Sequence, residues 1–218
     1  MDTLIEDLRK IFHGEIKHDL ATREEYSHDA SVYELMPDAV LAPRDTPDIK
    51  RLVDFVASHK HSYPALSITT RSAGTDMSGG PIGDSLVIDM TKHFGSIHSA
   101  SPTMLHTQPG AFMRDIDPAL LAHGAMLGCV PVSRAINTIG GMVANNSGGE
   151  QSLRYGNADK SVRELKAVLA DGNEYTFKPL NKKELMTKIT KGDFEGALYK
   201  KVYELIEANY DLIKNARP

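Results

Sequence analysis

A single cysteine, Cys129, stands in the whole sequence. Its solitude excludes an internal disulfide and any iron–sulfur cluster held by cysteines of this chain alone. No apolar run approaches the length that crosses a bilayer, and Met1-Asp2-Thr3-Leu4-Ile5-Glu6-Asp7 has no basic region ahead of an apolar core. The expectation is a cytoplasmic protein without a transmembrane segment. Positive charge is not in excess either: the formal net charge is -4, so no nucleic-acid partner is expected. Internal repeats and low-complexity tracts are also lacking. What remains, 218 residues with 41% hydrophobic and 25% charged content, suits one large globular domain or two small ones.

Two common nucleotide motifs are missing as well. Gly74 and Gly79 have the spacing of a P-loop, but Gly80-Pro81 stands where Lys followed by Ser or Thr would meet phosphate and magnesium. No GxGxxG opens a helix, so the ordinary Rossmann fingerprint is absent. What is present is Arg71 to Gly80, Arg-Ser-Ala-Gly-Thr-Asp-Met-Ser-Gly-Gly, between two strands read at Leu66 to Thr70 and Leu86 to Ile88. A backbone pinned between strands and free of bulky side chains can turn several N–H groups inward as a nest for phosphate oxygens. Taken alone, the same residues also suit a polar surface loop.

Along the rest of the chain, Leu4, Leu8, Ile11 and Phe12 have helical spacing. His18 to Ser31 reads as a polar surface loop; its His28 and Asp29 are neighbours without a third group to orient them as a catalytic pair. Ala39 to Ala42 reads as a strand, and Thr46-Pro47 as the cap and first position of a helix lined by Ile49, Leu52, Val53 and Val56. His59-x-His61 does not place both rings on one helical face, so no metal site is expected. Strand, helix and strand here imply a parallel crossover, with the Arg71 loop at a carboxyl strand end where ligands gather. Thr103 to Gln108 reads as a strand. Phe112, Ile116 and Leu120 mark a helix that Asp117-Pro118 either restarts or continues, stopped at Gly124. His93, His98, His106 and His123 sit singly and suggest structural or solvated roles.

A second small-residue stretch runs from Thr138 to Gly149, Thr-Ile-Gly-Gly-Met-Val-Ala-Asn-Asn-Ser-Gly-Gly, after Pro131-Val132-Ser133. Its glycines each cost a helix about 1 kcal/mol, so an inefficient helix is expected there. Close backbone contact with a large planar or phosphorylated ligand would offset that cost, with Ser133, Thr138, Asn145 and Asn146 as hydrogen-bonding groups. Tight helix-to-sheet packing would explain the glycines but not the hydroxyls and amides.

The two stretches together resemble the flavin-binding domain of the vanillyl-alcohol oxidase and para-cresol methylhydroxylase superfamily, in its branch of D-lactate, glycolate and related 2-hydroxyacid dehydrogenases. Matching residues occur in family order over roughly residues 20 to 180: Arg71 to Gly79, Val87 to Met90, Gln108-Pro109-Gly110, Pro131 to Ser133, Thr138 to Gly141, Asn145 to Gly148, Tyr155-Gly156 and Val168 to Gly172. The resemblance implies an α+β fold of the para-cresol methylhydroxylase type. Two α/β subdomains are expected, 1–95 with a small parallel sheet and the pyrophosphate loop, and 96–218 with a mixed or antiparallel sheet flanked by helices.

By the same resemblance FAD lies between the subdomains. Ser72, Ala73, Gly74, Thr75 and Asp76 would cradle its pyrophosphate, with Arg71, Ser78 and Gly79 in the same loop. Pro131, Ser133, Thr138, Gly140, Gly141, Asn145, Asn146 and Gly148 would run along the flavin and pyrophosphate, and the Val162 backbone would meet the adenine. Thr75 and Asp76 stand where some members tether flavin through histidine, and Cys129 lies upstream of the cysteine tether, so FAD is expected to be non-covalent. Arg71 and Arg134 would either face anionic groups near the cofactor or form surface salt bridges.

Beyond Lys178 the sequence becomes charged, and Phe194, Leu198, Val202, Leu205, Ile206 and Ile213 mark a long amphipathic helix running to Pro218. Family members continue into a substrate, or cap, domain that carries most of the catalytic groups. The expectation is therefore a truncated chain without a catalytic base, serving a small-molecule substrate and an electron acceptor with a cap domain or partner subunit. An electron-transfer flavin subunit and a nucleotide-sugar reductase are the other readings compatible with the fold.

Overall fold

The computed structural model describes residues 2–216, and Arg217 and Pro218, where the sequence extends its last helix, lie outside them. The chain divides into two compact units, Met1–Val162 and Arg163–Pro218.

In the first unit, helix α1 (Asp2–Ile11) turns Leu4, Ile5 and Leu8 into the core. A short strand, β1 (Glu15–Lys17), follows, and then α2 (Leu20–Tyr26), which corrects the reading of His18 to Ser31 as loop throughout. Helix α2 buries no residue and so leaves no apolar periodicity in the sequence. Its signature is local, with Asp19 capping the N–H of Thr22 at 3.0 Å.

Strand β2 (Ala39–Ala42) is buried at every position, as expected of a strand covered on both faces. Helix α3 (Thr46–His59) is capped by Asp45, which accepts the Asp48 N–H at 2.9 Å. The cap therefore lies one residue before the expected Thr46, because the aspartate has the extended backbone that the role requires. Strands β3 (Ile68–Arg71) and β4 (Leu86–Asp89) complete a sheet of order β1-β2-β4-β3, in which β2, β4 and β3 are parallel and β1 is antiparallel to β2. Strand β3 starts two residues later and ends one residue later than the expected Leu66 to Thr70, which brings Arg71 into the ladder opposite Asp89.

A buried carboxylate ties α3 to the start of this sheet. Asp48, fully buried, accepts the N–H groups of His13 and Arg44 at 2.9 Å each and the Arg51 guanidinium at 2.5 Å. Burial pushes its carboxyl up, but those donors outweigh it and hold the group below the ordinary carboxylate value.

The chain then forms the antiparallel hairpin β5 (Ile97–Ala100) and β6 (Leu105–Thr107), whose first strand the sequence reading passed over. Helix α4 (Met113–Leu121) continues through Pro118, and Gly124 closes it at a φ of +65°. Helices α5 (Ile139–Ala144) and α6 (Ser152–Tyr155) and a 3-10 turn at Ala158–Lys160 end the unit. Two hydrophobic clusters underlie it, one drawn from Leu4 to Phe94 and the other from Ala111 to Ala158.

The second unit contains the antiparallel hairpin β7 (Leu165–Val168) and β8 (Glu174–Phe177), with Gly172 at a φ of +74° in the turn that Asp171-Gly172 signalled. Helices α7 (Lys182–Ile189), α8 (Phe194–Ala208) and α9 (Tyr210–Asn215) follow. The single long helix expected here is broken at Asn209, and α7 precedes it under a capping box of Asn181 and Glu184. Small parallel and antiparallel sheets among helices make this an α+β protein.

Candidate functional site

The carboxyl ends of β3 and β4 lie side by side and deliver Arg71 to Gly80 and Asp89 to Thr91 to one edge of the parallel sheet. Gly74 and Gly79 take φ values of +66° and +85°, backbone that other residues resist, so the loop's shape is written in those two glycines. At its far end the loop satisfies its own donors. The Asp76 carboxylate accepts the N–H of Ser78 at 3.1 Å, the Ser78 hydroxyl at 2.5 Å and the N–H of Gly80 at 3.0 Å. The Ser78 hydroxyl and these N–H groups hold Asp76 below the ordinary carboxylate value. Gly79 donates to Asp29 at 3.0 Å.

The near end is different. Among the described residues, no protein acceptor takes the N–H groups of Ser72, Ala73, Gly74 or Thr75. The run continues into Asp76, and successive open donors just past a strand end are groups that bind an anion where they converge.

The second stretch meets this loop. Thr138 caps α5 by accepting the Gly141 N–H at 3.3 Å. A Cβ added to Gly141 would stand 3.8 Å from the Cβ of Ser72, so the two glycine-rich stretches are neighbours in space. Helix α5 forms although it holds two glycines, which corrects the expectation of an inefficient helix. At Gly140 a Cβ would collide with Pro109, 2.5 Å from its Cβ and 2.7 Å from its carbonyl oxygen. Glycine there is demanded by packing as well as by access to a ligand.

Beside the start of the first stretch lies a cleft of about 240 Å³ lined by Glu25, Tyr26, Arg71, Ser72, Ala73, Thr91, Phe112 and Ile136. Of these, Arg71, Ser72 and Ala73 were expected as site residues; Glu25, Tyr26, Thr91, Phe112 and Ile136 were not, Glu25 and Tyr26 lying in the segment read as a surface loop and Phe112 being read only as a helix marker. Beside Ile136, Asn137 is 3% exposed and both ends of its side-chain amide lack a protein partner. An orphaned buried amide of this kind calls for a ligand or a bridging water.

The remaining sequence-picked residues divide by role. Asn146 takes a φ of +45° and accepts the Asp159 N–H on its side chain at 2.9 Å, while Asn145 reaches the Ser147 hydroxyl at 3.4 Å. Gly148 would clash with Asn157 and Ser152 if it carried a Cβ. Pro131 and Ser133 accept backbone bonds from Arg134 and Asn137. Val162 donates its N–H to Ala158. Arg134 forms a two-pronged pair with Asp117 at 2.5 and 2.6 Å, the salt-bridge alternative of its two readings. Cys129 is buried in the second hydrophobic cluster. Among the described residues, no three of His, Cys, Asp and Glu gather as a metal site, and no helix is long and apolar enough to cross a membrane.

Ser72 of the open-donor loop thus neighbours Gly141 of α5 and lines a cleft with Ile136, the residue before the orphaned Asn137 amide. The sequence pattern of the FAD binding domain family matches residues 37–178, and the chain belongs to that family. It is 26% identical over 209 residues to D-2-hydroxyglutarate dehydrogenase of Pseudomonas putida, covering 95% of this chain and 21% of that protein. It is 37% identical over 158 residues to glycolate oxidase subunit GlcD of Bacillus subtilis, covering 70% of this chain and 32% of that one. With D-lactate dehydrogenase of Archaeoglobus fulgidus it shares 30% identity over 135 residues, 61% of this chain and 29% of the relative. The chain thus spans about a fifth to a third of these relatives. Among solved structures, an alkyldihydroxyacetonephosphate synthase superposes with a TM-score of 0.69 at 19% identity, covering 89% of this chain and 36% of that one. A chitooligosaccharide oxidase gives 0.67 at 17% identity, covering 80% of this chain and 37% of that one. At such identities the structural likeness carries the fold, which is that of FAD-binding proteins of the para-cresol methylhydroxylase type.

Proposed function

We propose that this chain is the FAD-binding portion of a flavin-dependent oxidoreductase that oxidises a small 2-hydroxy acid. The observation that carries the cofactor part is the row of open N–H groups from Ser72 to Thr75, in a loop whose Ser72 neighbours Gly141 of α5. These donors would hold the pyrophosphate, and neutral N–H groups suit it because they stabilise charge without a competing counter-ion. Gly141 leaves room for backbone approach, Asn137 offers an unused donor and acceptor, and the Tyr26 and Phe112 rings line the cleft. Of the two FAD-binding subdomains proposed, 1–95 and 96–218, the separate hydrophobic clusters ending at Phe94 and beginning at Ala111 support the boundary near residue 95.

The substrate class rests on the names of the relatives. Glycolate, D-lactate and D-2-hydroxyglutarate all carry a hydroxyl on the carbon beside a carboxylate. Bound FAD supplies the acceptor of a hydride from such a carbon. This chain's own residues bind and orient the cofactor, and none of its histidines is assigned as the base. A cap domain or partner subunit outside this chain, and a separate electron acceptor, complete the activity. Within the described residues the absence of a spanning helix is compatible with a cytoplasmic location.

The test uses the whole protein as isolated. Its flavin is expected to bleach anaerobically with at least one of D-2-hydroxyglutarate, D-lactate and glycolate, and denaturation is expected to free all of the yellow colour from the chain. Absence of bleaching with every 2-hydroxy acid rejects the substrate class. Colour that stays on denatured chain rejects non-covalent binding.

A further inference from the structure

The run Tyr26-Ser27-His28-Asp29 has the residue types of a catalytic site and none of its geometry. Each member instead points at the loop that carries the open donors or braces the segment that does so. Arg71, the first residue of that loop, lays its guanidinium over the Tyr26 ring at 5.0 Å and donates to the carbonyl of His28 at 2.6 Å. The Tyr26 hydroxyl donates to Asp89 at the end of β4, at 2.8 Å. Ser27, fully buried, accepts the N–H of Leu35 on its carbonyl at 3.0 Å and so closes the segment on itself.

Asp29 makes the contacts that matter most for the loop. One carboxylate oxygen accepts the Ser31 N–H at 2.8 Å and the other accepts the Gly79 N–H at 3.0 Å. Next to it, Ala30 donates to the Asp76 carbonyl at 2.9 Å. Tyr33 lies against Gly79, where an added Cβ would come within 3.2 Å of its ring. The loop is thus gripped at its first residue by Arg71 and at its far end by Asp29 and Ala30. The stretch between, which includes Ser72 to Thr75 and continues into Asp76, keeps its N–H groups without a protein acceptor.

We infer that Asp29 is a positioning residue for the cofactor: its carboxylate fixes Gly79 in left-handed backbone and thereby holds the open N–H groups of Ser72 to Thr75 ready for a diphosphate. This inference rests on the proposed cofactor reading of the loop. A charged acceptor is suited to the task because a hydrogen bond to a carboxylate is roughly twice as strong as a neutral one. A loop already in its bound shape does not spend binding energy on being ordered.

The experiment compares wild type, Asp29→Asn and Asp29→Ala in the whole protein stripped of flavin. Dissociation constants are measured for FAD, ADP and adenosine, and the thermal midpoint is recorded without ligand. Asp29→Ala is expected to weaken FAD and ADP alike by about tenfold, the size of one charge-assisted hydrogen bond, and to leave adenosine unchanged. Asp29→Asn, which retains one acceptor oxygen and nearly the same shape, is expected to recover part of the loss. Unchanged FAD and ADP binding in Asp29→Ala overturns the inference while the cofactor reading stands. So does an equal loss for all three ligands with a lowered midpoint, since that is the mark of a merely structural residue. Wild-type protein that gains nothing from the diphosphate of ADP over adenosine overturns the cofactor reading itself.

Discussion

Replacing Asp48 by alanine is expected to cost about 2–4 kcal/mol of stability, since two backbone N–H groups lose a charged acceptor and each unsatisfied donor costs about 1–3 kcal/mol. The substitution leaves the N–H groups of His13 and Arg44 without their acceptor at a fully buried position, and the partly exposed Arg51 guanidinium with only Asp45 at 3.9 Å and the His13 ring at 3.3 Å. Because the folded-state carboxyl lies below its unfolded value, its contribution is complete above the ordinary carboxylate pKa of about 3.9 and is lost as pH falls through the depressed value. Urea unfolding between pH 7 and pH 3 checks both points. The wild type should lose stability on the acid side, and the variant should start lower and show a shallower acid loss. A variant within about 1 kcal/mol of wild type at pH 7 would show that the Asp48 network adds little.

Gly140→Ala is expected to destabilise the fold by about 2–3 kcal/mol, because the new methyl meets the backbone of Pro109, which cannot swing aside as a flexible side chain would. Its neighbour provides the contrast. Gly141→Ala meets only Thr138 Oγ1 at 3.4 Å and Ser72 at 3.8 Å, and alanine is the better helix former by about 1 kcal/mol. The Gly141 variant should therefore melt at or above the wild-type temperature without flavin, yet bind FAD more weakly, since its methyl enters the approach between α5 and the Ser72 loop. Opposite signs at adjacent glycines, read by melting and flavin titration, separate packing from ligand access. Equal melting of wild type and Gly140→Ala would remove the packing argument.

How much of this could be read from residues alone depends on whether the pattern was apolar or merely polar. Strands β2 and β4 are runs of buried side chains, and their positions followed from composition. The loop at Gly74 and Gly79 was legible because its backbone needs glycine there. Helix α2 was not, because it turns no buried face inward and depends on one aspartate cap. Strand β5 was missed for a related reason: its Ile97-His98-Ser99-Ala100 is half polar, and the register shifts within it. Glycine count argued against α5, yet the helix forms where Thr138 caps it and Pro109 needs the space that a side chain would take. Of the residues chosen for their glycines and hydroxyls, Ser72 and Gly141 lie side by side, whereas Ser133, Asn145, Asn146 and Gly148 make local contacts of their own. The lining contributed by Tyr26 and Ile136 did not announce itself, because an isolated aromatic or aliphatic residue has no spacing to betray it, and the spacing of Phe112 pointed to helix α4 rather than to a cleft.

The grip on the Ser72 loop also has a temporal side. Gly79 meets a carboxylate 50 residues earlier in the chain, and Arg71 reaches a carbonyl 43 residues earlier. Contacts over such separations must wait for the closure of a long stretch of backbone, whereas helices such as α3 form from near neighbours. During refolding, helical signal should return before the ability to capture flavin, and a stopped-flow comparison of circular dichroism with flavin fluorescence would expose the lag. The nest is a late product of folding, finished only when the N-terminal segment has docked upon it.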